Sequence, residues 1–203
     1  FTSFCENNEK MYLISSKHLA IYNQQNGQVQ YEEIPLDYSR LNCILSLGKD
    51  TIGIGTNNGI ILFFAKSKQF RNVEMHFNVM RLFEDSHNEL WLFSKEQRGI
   101  VRYDPLDNEQ QHYETPTQNM PKAELRSRDV IFEDSQGTLW VVPHLGCLSY
   151  YDREDKELKP YYTDYSKPES KFTPVILNFY VDNQKNFWYA NNFWMAVSYT
   201  HLR

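Results

Sequence analysis

The chain has 203 residues, of which 41% are hydrophobic and 23% charged, a balance that excludes intrinsic disorder and allows a sizeable core. Aromatics reach 15%, with 14 Tyr and 13 Phe, and such rings favour pleated, half-buried strands. Asp and Glu (26) outnumber Lys and Arg (21) for a formal net charge of −5, and with no dense basic patch the segment is not expected to bind nucleic acid through phosphates.

Taken in chain order, the first strand candidates are Thr2–Glu6, Lys10–Ser15, Leu19–Asn23 and Gln28–Ile34. The next group runs from Thr51-Ile52-Gly53-Ile54-Gly55-Thr56 through Asn57-Asn58-Gly59-Ile60 to Gln69–Met75. A third group is the most complete: Val79–Glu84, Glu89–Ser94, Gly99–Asp104 and Gln110–Thr115. Its turns are Asp85-Ser86-His87-Asn88 and Pro105-Leu106-Asp107-Asn108, both rich in turn formers. The fourth group holds Phe132–Glu133, Leu139–Trp140, Gly146–Asp152 and Glu157–Thr163; the fifth holds Tyr180–Val181 and Phe187–Trp188 and stops near Tyr199. No helix is expected, with the polar stretch Met120–Arg128 the only candidate for a helical turn.

These groups are copies of one unit. Phe83-Glu84-Asp85-Ser86-His87-Asn88-Glu89-Leu90-Trp91, Phe132-Glu133-Asp134-Ser135-Gln136-Gly137-Thr138-Leu139-Trp140 and Tyr180-Val181-Asp182-Asn183-Gln184-Lys185-Asn186-Phe187-Trp188 lie over one another. Each reads as an apolar strand, an Asp-led turn, then an apolar-Trp pair. Tyr12 and Gly53 stand at the Trp position in two degenerate copies. The markers Tyr12, Gly53, Trp91, Trp140 and Trp188 recur about every 40–50 residues, a period that with four short strands reads as a β-propeller blade.

The fold class is therefore all-β: about five four-stranded blades at 1–35, 36–76, 77–118, 119–168 and 169–199, part of a seven-bladed or tandem seven-bladed propeller. The apolar-Trp pairs are expected to pack between blades, because residues that recur in every repeat usually serve the repeat. Asp85, Asp134 and Asp182 are expected to bond the backbone two residues on; one carboxylate per turn does not make a calcium loop. Cys5, Cys43 and Cys147 are odd in number and lack CxxC spacing, so neither a disulfide framework nor a zinc site is expected, and Cys43 and Cys147, set among apolar residues, read as small buried hydrophobes. No cofactor or metal is anticipated. No apolar run approaches the ~18 residues of a membrane span. The start at Phe1 leads us to expect sequence upstream, and residues 200–203 read as a non-native or unstructured tail, the pattern being lost from Val197 onward.

The unit resembles the two-component regulator propeller repeat, whose form is E-D-x-x-G-x-L-W-I-G-T followed by G-L-x-x-Y-D. Glu133–Trp140 matches the first part, Ile54-Gly55-Thr56 supplies I-G-T, and Gly99-Ile100-Val101-Arg102-Tyr103-Asp104 supplies the second part. The resemblance covers essentially the whole chain; copies one, two and five depart from it. It implies a periplasmic sensor segment of a Bacteroidetes hybrid two-component histidine kinase that detects glycan fragments and regulates polysaccharide use. It also implies further blades and downstream domains in the same chain, and a homodimeric parent. The segment itself carries no kinase motif and is not expected to be an enzyme.

Blade topology narrows the ligand site. Successive strands reverse direction, so the second-to-third-strand loops and the blade-to-blade links share one face around the central opening, where propellers commonly hold ligands. The residues collected there are Arg40, Asn57, Asn58, Asn78, Arg81, Lys95, Arg98, Arg126, Arg128, His144, Asn191, Asn192 and Trp194. Amides and guanidinium groups suit sugar hydroxyls and rings suit a pyranose face; Trp194, standing where the repeat expects Gly, is the leading candidate. The competing reading for each is an ordinary solvated loop residue, or core for Trp194. Two other functions compete with a sensor. A sialidase-like glycosidase would need S-x-D-x-G-x-T-W turns and a carboxylate pair; Glu96 and Asp129 are the nearest guesses, and nothing pairs them. A WD-repeat or kelch scaffold would carry G-H and W-D marks or a Gly-Gly pair, which this sequence lacks.

Overall fold

Period-2 alternation of apolar residues builds short antiparallel strands, and the computed structural model places these in separate small sheets. It describes residues 3–15, 17–35, 40–94, 99–114, 130–142, 149–160, 176–182, 187–191 and 196–199. The first sheet contains β1 (Ser3–Asn7), β2 (Lys10–Ile14), β3 (His18–Asn23) and β4 (Val29–Glu33). The second contains β5 (Leu41–Leu47), β6 (Thr51–Thr56), β7 (Gly59–Phe64) and β8 (Gln69–Glu74). The third contains β9 (Val79–Glu84), β10 (Leu90–Ser94), β11 (Ile100–Asp104) and β12 (Glu109–Tyr113). The fourth contains β13 (Val130–Glu133), β14 (Leu139–Val142), β15 (Ser149–Asp152) and β16 (Glu157–Pro160), and the fifth β17 (Ile176–Val181), β18 (Phe187–Asn191) and β19 (Ala196–Tyr199).

Every sheet is an antiparallel meander in sequence order, which is the architecture of propeller blades. There is no helix among the described residues; the stretch 120–128 lies outside them. Residues 197–199, which the sequence pattern sets outside the repeat, belong to β19 and pair with Phe187–Tyr189 of β18. Their backbone continues the ladder although their residue types leave the motif, because ladder bonds are made by main chain and tolerate most side chains.

First strands of neighbouring blades pack together, β1 against β5 and β5 against β9, so they are innermost. Fourth strands are mostly exposed. The cores lie between blades. Tyr12, Ile14, Leu19 and Ile21 of the first blade meet Ile44, Ile52, Ile54 and Phe63 of the second. Ile60, Leu62 and Val73 of the second meet Leu90, Leu92 and Tyr103 of the third. Trp91, Phe93 and Tyr113 of the third meet Leu139, Val141 and Tyr151 of the fourth. Alternation explains the apolar-Trp pair: Leu90 points back to the second blade and Trp91 forward to the fourth. Each fully buried side chain contributes about 1.5–3 kcal/mol.

The first blade has one covered and one uncovered face. Register aligns Phe4, Leu13, Ala20 and Tyr31 across one row, and Met11, Tyr22 and Val29 across the next. Phe4, Tyr31 and Val29 are exposed by 65%, 64% and 47%, so an apolar sheet face stands open to solvent.

The glycine at the start of the third strand in the second and third blades has a definite cause. Gly59 (φ 134°) and Gly99 (φ 99°) are in the left-handed half of backbone space. A Cβ would fall 2.2 Å from the Val73 carbonyl oxygen at the first and 1.9 Å from the Tyr113 carbonyl oxygen at the second. Both oxygens belong to the neighbouring outer strand and cannot move without breaking the ladder. Gly99→Ala is therefore expected to cost at least ~2 kcal/mol, read as a lower urea midpoint with an unchanged slope.

Candidate functional site

The two ends of the blades are built differently. At the end carrying the first-to-second-strand turns, Asp85 organises its own hairpin. Its Oδ1 accepts the N–H of His87 (3.0 Å) and of Glu89 (2.9 Å), and its Oδ2 accepts the Trp91 indole N–H at 2.9 Å. Asp134 repeats this with Gln136 (2.9 Å), Thr138 (3.0 Å) and the Trp140 indole (2.8 Å). Asp182 Oδ2 accepts the Trp188 indole at 3.0 Å. The six-residue Asp-to-Trp spacing is thus a hydrogen bond, which a turn-only reading of the Asp misses. Asn88 (φ 60°) and Gly137 (φ 81°) fill the same left-handed turn position, which Asn tolerates better than most residues.

The Glu before Asp85 and the Glu before Asp134 each reach the preceding blade. Glu84 Oε2 accepts the Gly48 N–H at 3.1 Å, and Glu133 accepts both the N–H and the hydroxyl of Ser86 at 2.7 Å. In the first pair of blades, Asn7 donates to Ser46 Oγ (2.6 Å) and the Gly48 carbonyl (2.9 Å) instead. Arg153, from the last turn of the fourth blade, crosses to the third. It donates to Asp85 Oδ2 at 2.8 Å and Glu89 Oε2 at 2.5 Å, and lies over the Tyr151 ring at 5.8 Å. Arg102 bonds the other Glu89 oxygen at 3.1 Å. Beneath, Trp91 packs edge-on against Tyr151 with ring centres 4.8 Å apart, and the Tyr113 and Tyr151 hydroxyls meet at 3.1 Å. Burial, then the bond from Tyr151, pushes the Tyr113 phenol up.

Asp85, His87 and Glu133 place ligand atoms within 4.8 Å of one another. Arg153 already supplies the cation there, 2.8 Å from Asp85 and 3.7 Å from Glu133, so this cluster is an inter-blade bridge and not a metal centre.

Burial pushes the Asp85 carboxyl up, but bonds from Arg153, Trp91 and the Glu89 N–H, with the Arg153 charge, hold it below the usual carboxylate value. A lowered folded value contributes stability above the unfolded pKa of ~3.9 that is lost as pH falls through the folded one. Arg153→Met removes the opposing charge and leaves a buried carboxylate. We expect a loss of about 2 kcal/mol at neutral pH and acid unfolding beginning at a higher pH than in the parent chain, both measurable by circular dichroism.

The opposite end, the mouth, carries the sequence candidates. Each of β5, β9 and β17 has a bulge near its start: Asn42 is the extra residue in β5, Met80 in β9 and Leu177 in β17. Bulges re-aim side chains and occur often beside functional sites. By register, Leu41 faces Thr56 and Val79 faces Ser94, so Arg40 and Asn78 occupy equivalent positions, as do Cys43 and Arg81. Asn42 Nδ2 bridges the two blades, donating to Asn78 Oδ1 (2.7 Å) and the Val79 carbonyl (2.9 Å). Asn42 Oδ1 is buried without a hydrogen-bond partner, a state that costs roughly 1–3 kcal/mol. Arg40 is exposed, and its carbonyl accepts the Asn57 N–H at 3.3 Å. Arg81 is exposed, and its charge reaches the Cys43 thiol.

The structure thus joins Asn78 to Asn42, which sequence reasoning missed, and leaves Arg40 and Arg81 exposed near the same end of the inner strands; the signal for Asn42 was the bulge, invisible in residue pattern. Asn58 is committed elsewhere, donating to Glu74 Oε1 at 2.7 Å. Asn191 ends β18 opposite Ile176, the register position of Thr56 and Ser94. Lys95, Glu96, Arg98, Arg126, Arg128, Asp129, His144, Asn192 and Trp194 lie outside the described residues, as does Cys147.

Cys5 and Cys43 are free thiols. Burial pushes Cys43 up to about 12 and Cys5 to about 11, and a thiol without thiolate is a poor nucleophile. Both should resist iodoacetamide at pH 8 in the folded chain and react on unfolding, as read by peptide mapping.

No family model matches the chain, and no curated protein matches it. Solved structures do match. The extracellular domain assigned to the hybrid two component system BT4673 of B. thetaiotaomicron aligns with 96% of this chain and 26% of its own, at 16% identity and a TM-score of 0.66. Virginiamycin B lyase from Staphylococcus aureus aligns over 94% of this chain and 62% of its own, at 12% identity and a TM-score of 0.70. An auxiliary nutrient binding protein from Bacteroides thetaiotaomicron aligns over 94% and 52%, at 14% identity and a TM-score of 0.58. At these identities the likeness establishes the fold, an all-β propeller. The chain spans about a quarter of the sensor domain's length and under two thirds of the lyase's.

Proposed function

We propose that this chain is part of an extracytoplasmic ligand-sensing propeller of a hybrid two-component histidine kinase, detecting glycan fragments to regulate polysaccharide use. The observation that carries this reading is the contrast between the blade ends. One end is locked by Asp–Trp, Glu–backbone and Arg153 bonds. The other has Arg40, Asn42, Asn78 and Arg81 at or just before the starts of the innermost strands of two blades, with Asn42 bonded to Asn78. A rigid scaffold with polar side chains at its mouth is what a binding module needs. Extracellular domains of Bacteroides hybrid two-component systems share the fold, which supports a sensor reading over a scaffold.

The same reading has the blades at 1–35, 36–76, 77–118, 119–168 and 169–199 joined by further blades of the parent chain, in a seven-bladed ring. The open apolar face of Phe4, Tyr31 and Val29 supports this, since monomers rarely leave such a face uncovered. The parent would be a periplasmic, dimeric sensor with its kinase elsewhere. Among the described residues no helix is long and apolar enough to cross a membrane.

Two measurements test the proposal. The full gene is expected to encode a membrane span and kinase motifs downstream; a glycosidase or scaffold architecture there would overturn the signalling assignment. A thermal-shift screen of the protein, with its neighbouring blades restored, is expected to show stabilisation by at least one oligosaccharide. No shift with any sugar would overturn the glycan assignment.

A further inference from the structure

At one repeat position the second, third and fourth blades each bond the blade before. Ser46 Oγ accepts the Asn7 amide at 2.6 Å, Glu84 accepts the Gly48 N–H at 3.1 Å, and Glu133 accepts the Ser86 N–H at 2.7 Å. Register makes the three equivalent: Ser46 pairs with Ile52, Glu84 with Leu90 and Glu133 with Leu139, each the apolar residue before the Trp position. In the first blade Glu6 pairs with Met11 and so holds this position. Glu6 is exposed and bonds no described residue.

Around Glu6 the first blade repeats the rest of an inter-blade face. Phe4 pairs with Leu13 as Leu82 does with Leu92. Met11, Leu13 and Tyr22 stand where the fourth blade has Leu139, Val141 and Tyr151, the residues that receive Trp91. Here, however, Phe4 and Tyr31 lie open to water. On the fifth blade Trp188 is 41% exposed, whereas Trp91 and Trp140 at its repeat position are 0% and 5%. Its indole is seated as theirs are, on Asp182 at 3.0 Å. The chain thus carries both halves of an interface that it already makes between its own blades. The exposure of Phe4, Tyr31 and Trp188 shows that the two halves do not meet within one copy.

We infer that the open face of the first blade takes the fifth blade of a second copy, so that the 203-residue chain associates head to tail. Trp188 of one copy packs on Met11, Leu13 and Tyr22 of the next, as Trp91 packs on Tyr151. Glu6 supplies the acceptor that Glu84 and Glu133 supply between blades. Such a contact is heterologous, and it grows into rings or open rows. In a parent of the kind proposed above, a blade of the same polypeptide would take this face instead, at a higher effective concentration.

Sedimentation equilibrium of the chain between about 1 and 100 μM is expected to show a mass that rises above one chain with concentration. Trp188→Ser, and Phe4→Ser combined with Tyr31→Ser, should each leave monomers, and Glu6→Gln should weaken association by about tenfold. These side chains are exposed, so the thermal midpoint should hold; if one variant unfolds, the others decide. Mixing the Trp188 variant with the Phe4/Tyr31 variant leaves one intact half on each and should restore an equimolar pair that grows no further. An unsubstituted chain that stays monomeric throughout would overturn head-to-tail association. So would a Trp188 variant that self-associates undiminished, which would set the Phe4 face against its own copy. Either result leaves the sensor reading standing, and failure of every sugar to bind leaves head-to-tail association standing.

Discussion

A four-stranded sheet of four- to seven-residue strands has two faces and too little chain to cover either. That constraint organises the molecule. Its cores lie between blades, with Leu90 serving one interface and Trp91 the next. Each blade is therefore stable only as a member of a row, as expected for repeats whose energies are sums of nearest-neighbour terms. The first blade shows the consequence: the face that meets a neighbour holds Tyr12, Ile14 and Ile21 buried, while the other leaves Phe4 and Tyr31 in water.

Apolar packing sets neighbours together but does not fix their angle, because it is non-directional. The directional bonds do that at the turn end. Asp85 and Asp134 each close their own hairpin and anchor their own Trp, and Glu84 and Glu133 bond the backbone of the blade before. Where the motif decays, other groups bridge the blades, as Asn7 does by donating to Ser46 and the Gly48 carbonyl of the next blade. Charge-assisted bonds of this kind contribute about 1.5–3 kcal/mol each. With one end so fastened, the mouth is free to vary, and there the bulged inner strands are tied by the Asn42 amide instead.

The fold is shared with a sensor domain, a lyase and a nutrient-binding protein at 12–16% identity. Such a scaffold does not choose a chemistry; the groups at its mouth do.

Strand positions and blade class were legible from sequence because both depend on local information. Alternation marks a half-buried strand, Asp and Gly mark tight turns, and the third group's first strand, Val79–Glu84, coincides with β9. The turn role of Asp85 and Asp134 was legible for the same reason, as was the glycine of the third strand. What tertiary structure alone decided were partnerships between blades: Glu133 with Ser86, Arg153 with Asp85 across 68 residues of chain, and Asn42 with Asn78 across 36. Residue order carries no signal for these, because each depends on the angle at which two sheets meet. The bulge that aims Asn42 is likewise a property of paired strands, since an extra residue is extra only relative to the strand opposite.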